Sequence, residues 1–176
     1  MVKLQTFLEK IKQTPLDLDY IRKKLPPRCR AVEYGSLKGK HRSQVFKETD
    51  ALVVLIPKKD SNVGHFVVLL ARGASSSAGH IEYFSSLGGT PQKELQKLGE
   101  PLAIFEELLG KNYIANTKPL QSGKYHINDC AVWCLLRCFM RKLKLREFQE
   151  LFMRSAHLQT ADDIAACMGI MLLIDL

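Results

Sequence analysis

The chain has no apolar run long enough to cross a membrane. Its first residues, Met1-Val2-Lys3-Leu4-Gln5, open an amphipathic stretch without the apolar core of a secretory signal. Together these absences predict a protein that is not secreted and does not enter a membrane. No CxxC pair occurs, and the five cysteines are odd in number, so neither a disulfide framework nor a paired-thiolate zinc site is expected. A reducing, cytosol-like or nuclear compartment follows. Internal repeats and low-complexity segments are absent. The formal net charge is +8, yet no basic stripe is interleaved with aromatics. A solvated surface with a basic bias is therefore the plainer reading, with weak attraction to nucleic acid beside it.

What is present fits one domain with a sizeable core in 176 residues. Leu4, Phe7, Leu8 and Ile11 follow helical spacing, and Asp17 can cap a second short helix that Pro26-Pro27 stops. Residues 34–50 are polar and hold a turn or short helix. Three strand-like runs follow: Ala51–Ile56, His65–Ala71 and His80–Phe84, separated by turn-rich segments. Helices are expected over Pro91–Leu98, Pro101–Leu109, Cys130 to about Leu143, Leu145–Met153 and Ala161–Met168, with a short edge strand within Asn112–Thr117. The class is α+β, a small central mixed sheet flanked by helices.

Chemistry concentrates where polar residues give way to an apolar helix, at Asp129-Cys130-Ala131-Val132-Trp133-Cys134. A thiol at a helix N-terminus feels the dipole, which favours thiolate. Cys134 and Cys138 lie deeper in the same helix and read as small core residues. Two histidines compete as its base. His65 follows Gly64 at the head of a buried strand, and His126 lies four residues before the thiol. Gln121 is a candidate oxyanion donor. His126, Cys130, Cys134 and Cys138 share one helical spacing, but Cys130 and Cys138 would stand about 12 Å apart, too far for one ion.

These residues, in this order, resemble the adenain-like cysteine peptidases, the clan that also holds the SUMO-specific proteases. Ala51–Ile56 leading to Gly64-His65-Phe66 resembles the family's strand, turn and Gly-His-Trp. Ile81-Glu82-Tyr83-Phe84-Ser85-Ser86-Leu87-Gly88-Gly89 resembles its aromatic-Asp-Ser-aliphatic-Gly stretch. Leu120-Gln121-Ser122 resembles its Gln segment, and Asp129–Cys134 its nucleophile segment. The likeness is closest to the maturation proteases of adenovirus-like double-stranded DNA viruses, virophages and Polinton/Maverick elements.

The resemblance implies a papain-like superfold over one domain, residues 1–176, with a helical region at 1–50 and a peptidase core at 51–176. It implies Cys130 as nucleophile, His65 as base, Gln121 at the oxyanion, and Phe66 and Trp133 along the substrate channel. Ser85 stands at the family's acid position, so a neutral hydroxyl is expected to orient the imidazole, and Ser85→Asp to maintain or raise turnover. Glu82, three residues back on the strand, should point to the opposite face. The implied function is cleavage of capsid precursors after small residues, of the Gly-Gly or Gly-Ala type, during virion maturation. The implied setting is the virion and the host-cell virus factory. No cofactor is required, DNA or an activating peptide can assist, no membrane takes part, and a monomer is expected. Two other readings stand beside it: a SUMO or ubiquitin-like isopeptidase, and an inactive basic relative that binds DNA or capsid.

Overall fold

The computed structural model describes residues 6, 9, 12–13, 16–59, 64–73, 79–122, 129–155 and 160–173. The expected first helix and His126 lie largely or wholly outside them. Five strands form one sheet in the order β1-β2-β3-β4-β5: Cys29–Glu33, Ala51–Pro57, Gly64–Arg72, His80–Phe84 and Ile114–Ala115. The central pairs β2–β3 and β3–β4 are antiparallel, and the edge pairs β1–β2 and β4–β5 are parallel. The class is α+β with a mixed sheet, as the sequence predicts.

Strand β1 is a correction to the sequence reading. It falls inside the stretch expected to be helical, and it joins the sheet by pairing Cys29–Glu33 with Ala51–Leu55. Leu18, Ile21, Ala31, Tyr34, Leu37, Val45 and Phe46 of this stretch are buried in the core. Helix α1 (Leu18–Lys24) begins at Asp17, whose carboxylate accepts the Tyr20 N–H at 2.6 Å. A 3-10 turn at Tyr34–Leu37 and a one-turn helix α2 (Arg42–Val45) follow β1.

Alternation along β2 and β3 supplies two buried faces. Val53, Phe66, Val68, Leu70 and Phe84 meet α5 (Cys130–Phe139), α6 (Leu145–Ser155) and α7 (Ala161–Leu173). Leu52, Val54, Ile56, Val67, Leu69, Ile81 and Tyr83 meet α3 (Pro91–Leu98), α4 (Ala103–Leu109) and Tyr34. The sheet is thus a middle layer between helices. Helix α5 stops at Phe139, short of the expected Leu143. The carbonyls of Met140 and Leu143 instead accept the buried Arg137 guanidinium, each at 2.9 Å.

Because β3 and β4 are antiparallel, the start of β3 and the end of β4 lie at the same rim of the sheet. That rim carries Gly64-His65 and Phe84-Ser85. A side chain at Gly64 would put its Cβ 2.6 Å from the Ile56 carbonyl oxygen, so glycine is what lets β3 reach β2 before His65.

Candidate active site

His65 is the second residue of β3 and is 7% exposed. Its Nε2 lies 3.0 Å from Ser85 Oγ. Ser85, just past β4, is fully buried. Its backbone is clamped by Asn116, whose Oδ1 accepts the Ser85 N–H at 2.9 Å and whose Nδ2 donates to the Ser85 carbonyl at 2.6 Å. The hydroxyl of Ser85 in turn donates to Glu94 Oε1. Glu94 comes from α3, is 5% exposed, and also accepts the Tyr83 hydroxyl. Sequence reasoning missed Glu94. Its signal was there: Pro91, Glu94, Leu95 and Leu98 sit at helical spacing, so Glu94 occupies a core-facing position of α3. Gly89 leaves the space, since a Cβ there would stand 2.5 Å from Glu94 Oε1.

Cys130 begins α5, as the sequence predicts, and packs partly buried against the α5-side core. Its sulfur lies in the field of the backbone N–H groups of Phe66, the residue after His65, of Ala131 and of Cys130 itself. These donors favour thiolate. Burial outweighs them and, with Asp129 adding to it, pushes the thiol up to about 11. Desolvation at this position thus works against the thiolate that a helix N-terminus favours. Burial likewise holds His65 below its ordinary value, opposed by the Glu94 charge. At neutral pH the resting pair is a thiol and a neutral imidazole.

Gln121 is 6% exposed and held from the β4 side. Its N–H donates to the Ser86 carbonyl at 2.9 Å, and its Oε1 accepts the Ser86 hydroxyl at 2.6 Å. That bond fixes the carboxamide so that its nitrogen is the end turned away from Ser86. Asp162 of α7 joins this segment to α5. Its carboxylate accepts the Ser122 N–H at 2.9 Å and the Trp133 indole N–H at 3.4 Å. Glu82 points to the opposite face, as expected, and meets Arg72 and Arg137 there.

The substrate-channel assignments need correction. Trp133 is fully buried, with its ring 4.7 Å from that of Phe152, centroid to centroid. An indole without solvent contact builds the core and lines no channel. The Phe66 ring also belongs to the core, 5% exposed, and what Phe66 brings to the site is its backbone N–H.

Asp129, directly before the nucleophile position, is wholly buried, and neither carboxylate oxygen has a hydrogen-bond partner among the described residues. Burial, and then the neighbouring Asp162, push it up to about 8. The folded state thus prefers the protonated form. That preference contributes fully below the ordinary carboxyl value near 3.8 and is lost as pH rises through about 8. Asp129→Asn is expected to raise the melting temperature at pH 9, by several degrees or more, and to leave it unchanged near pH 4. Thermal denaturation at the two pH values checks this.

No protein-family model matches the sequence, and no curated protein matches it. Solved structures similar in shape include the following two. One is the central domain of the uncharacterized Lpg1148 protein from Legionella pneumophila, with a TM-score of 0.46 and 11% identity, over 92% of this chain and 100% of that one. The other is a de-sumoylating protease, with a TM-score of 0.39 and 15% identity, over 97% of this chain and 79% of that one. Likenesses of this strength carry no argument about function, which rests on the site itself.

Proposed function

We propose that the protein is a cysteine endopeptidase in which Cys130 is the nucleophile and His65 its base. The observation that carries this reading is the placement of the two groups. His65 turns Nε2 to Ser85 at 3.0 Å, and its strand β3 is packed by α5, whose first residue is Cys130. In the reaction the thiol passes its proton to the imidazole as sulfur bonds to the substrate carbonyl carbon. The carbonyl oxygen takes negative charge and accepts the Cys130 backbone N–H and the Gln121 carboxamide N–H. Collapse breaks the C–N bond, and the imidazolium protonates the departing amine. Water, deprotonated by His65, then hydrolyses the thioester and restores the thiol.

A neutral resting pair suits this general-base course, with proton transfer accompanying attack. Cleavage after small residues of the Gly-Gly or Gly-Ala type, in capsid precursors during virion maturation, is the substrate reading we favour. It rests on the ordered resemblance of the Gly64-His65-Phe66, Ile81–Gly89, Leu120-Gln121-Ser122 and Asp129–Cys134 segments to adenain-like peptidases, the viral maturation proteases above all. In that reading the protein acts as a monomer in the virion and virus factory. Its net charge of +8 lets it associate with packaged DNA, and an activating peptide is a further candidate helper.

A panel of Gly-Gly-X and Gly-Ala-X peptides tests the substrate, alongside SUMO and ubiquitin carrying C-terminal aldehydes. Turnover of the peptides without capture by the modifiers is expected. Capture of a modifier at Cys130 would instead make the protein an isopeptidase. DNA binding without turnover or capture would make it an inactive relative. Any stimulation by DNA should fall steeply with salt.

A further inference from the structure

Ser85 cannot supply charge to the imidazole, but it is not the end of the chain of contacts. Its single hydroxyl proton is committed to Glu94 Oε1, and Glu94 Oε2 accepts the Tyr83 hydroxyl. A carboxylate has no proton to return, so Ser85 Oγ meets His65 Nε2 with a lone pair. That direction fixes the imidazole tautomer. The proton sits on Nε2, and Nδ1 holds the lone pair a base requires. Glu94 Oε2 itself lies only 3.8 Å from His65 Nε2, close enough for its charge to favour an imidazolium formed during reaction.

We propose that Glu94 is the displaced acid of this site, a positioning residue that sets the tautomer of His65 and stabilises its charged form through the hydroxyl of Ser85. The proposal rests on the reading of His65 and Cys130 as base and nucleophile. It makes Cys130, His65, Ser85 and Glu94 one functional unit drawn from α5, β3, the β4 rim and α3. Tyr83 and the missing side chain of Gly89 hold the carboxylate in place.

The proposal also reverses the expectation for Ser85→Asp. A second carboxyl beside Glu94 would be buried within hydrogen-bond reach of a like charge, and one of the two would take up a proton. The single variant should therefore lose activity. Ser85→Asp combined with Glu94→Gln restores one carboxylate beside the imidazole and should recover much of the wild-type rate.

The decisive variant is Glu94→Gln. With its oxygen kept on the Tyr83 hydroxyl, the amide presents its nitrogen to Ser85, turning the hydroxyl proton toward His65 Nε2 and leaving Nδ1 protonated. The kcat/KM is expected to fall about 100-fold or more, as for other wrong-tautomer substitutions, with the acid limb of the pH profile displaced. Nitrogen-15 NMR of His65 in the full chain reads the tautomer without any substrate. The expected change is from Nε2–H in the wild type to Nδ1–H in the variant. Ser85→Ala breaks the same chain while sparing the Glu94–Tyr83 bond, and combining it with Glu94→Gln should cost no more than either alone.

Unchanged turnover in Glu94→Gln would overturn the proposal. So would a loss of turnover with unaltered tautomer, which would assign Glu94 to structure alone. If Glu94→Gln fails to fold, Ser85→Ala decides on the same two readouts. Should the wild type cleave no substrate, the peptidase reading fails, whereas the tautomer measurement still decides whether Glu94 governs His65.

Discussion

Replacement of Cys130 by alanine is expected to lower turnover on the order of 10,000-fold or more, to the level that binding and oxyanion contacts alone sustain. Among the described residues, neither of the two nearest candidates can take its place. Cys134 is a turn deeper in α5 and fully buried, where desolvation holds its thiol well above the ordinary value. The Ser85 hydroxyl is fully buried, donates to Glu94 and meets His65 Nε2. The substitution removes one sulfur atom from a partly buried position, so the fold should hold. The expected result is therefore lost turnover with a nearly unchanged melting curve. A comparable loss of stability would mean that Cys130 serves packing.

The second large effect falls on stability and lies away from the chemistry. Glu82 is 3% exposed at its side chain and binds Arg137 through both oxygens, at 2.7 and 3.1 Å. Arg72 adds contacts to Oε2 at 3.0 and 2.5 Å. The two guanidinium groups also donate to the carbonyls of Met140, Arg141 and Leu143, which follow α5. The network thus pins the C-terminal end of the helix that presents Cys130 to β3 and β4. Glu82→Ala would leave the fully buried Arg137 charge without its counterion. Breaking such a pair from one side costs about 3–5 kcal/mol, a fall in melting temperature on the order of 10 °C. Thermal and urea denaturation measure it. Glu82→Leu with Arg137→Met, which removes charge from both sides, is expected to recover part of the loss.

Much of this arrangement was legible in residues whose neighbours along the chain decide their state. The runs Ala51–Ile56 and His65–Ala71 are apolar and β-branched, and they form β2 and β3. Asp17 and Thr90 carry oxygens suited to capping, and both accept a helix N–H. The polar-to-apolar boundary put the start of a helix at Cys130. The features that escaped depend on contacts distant in sequence. Strand β1 has five residues, follows Arg28 at a positive φ of 63°, and gains its identity only by lying parallel to β2. Glu94 is an ordinary helical glutamate until Tyr83 and Ser85 arrive from β4. The rise in the Cys130 thiol comes from burial against the surrounding core, which a helix-dipole argument does not contain. Trp133 was misplaced for the same reason, because a position in a motif does not say what covers the side chain.

The central claim is that His65 activates Cys130, and one labelling experiment tests it most directly. The full chain is treated at neutral pH with a Gly-Gly peptide vinyl sulfone, and the adduct is located by peptide mass spectrometry. The account predicts a single adduct on Cys130, formed far more slowly in His65→Ala. An adduct spread over Cys29 and Cys167, or a Cys130 rate indifferent to the loss of His65, would contradict it.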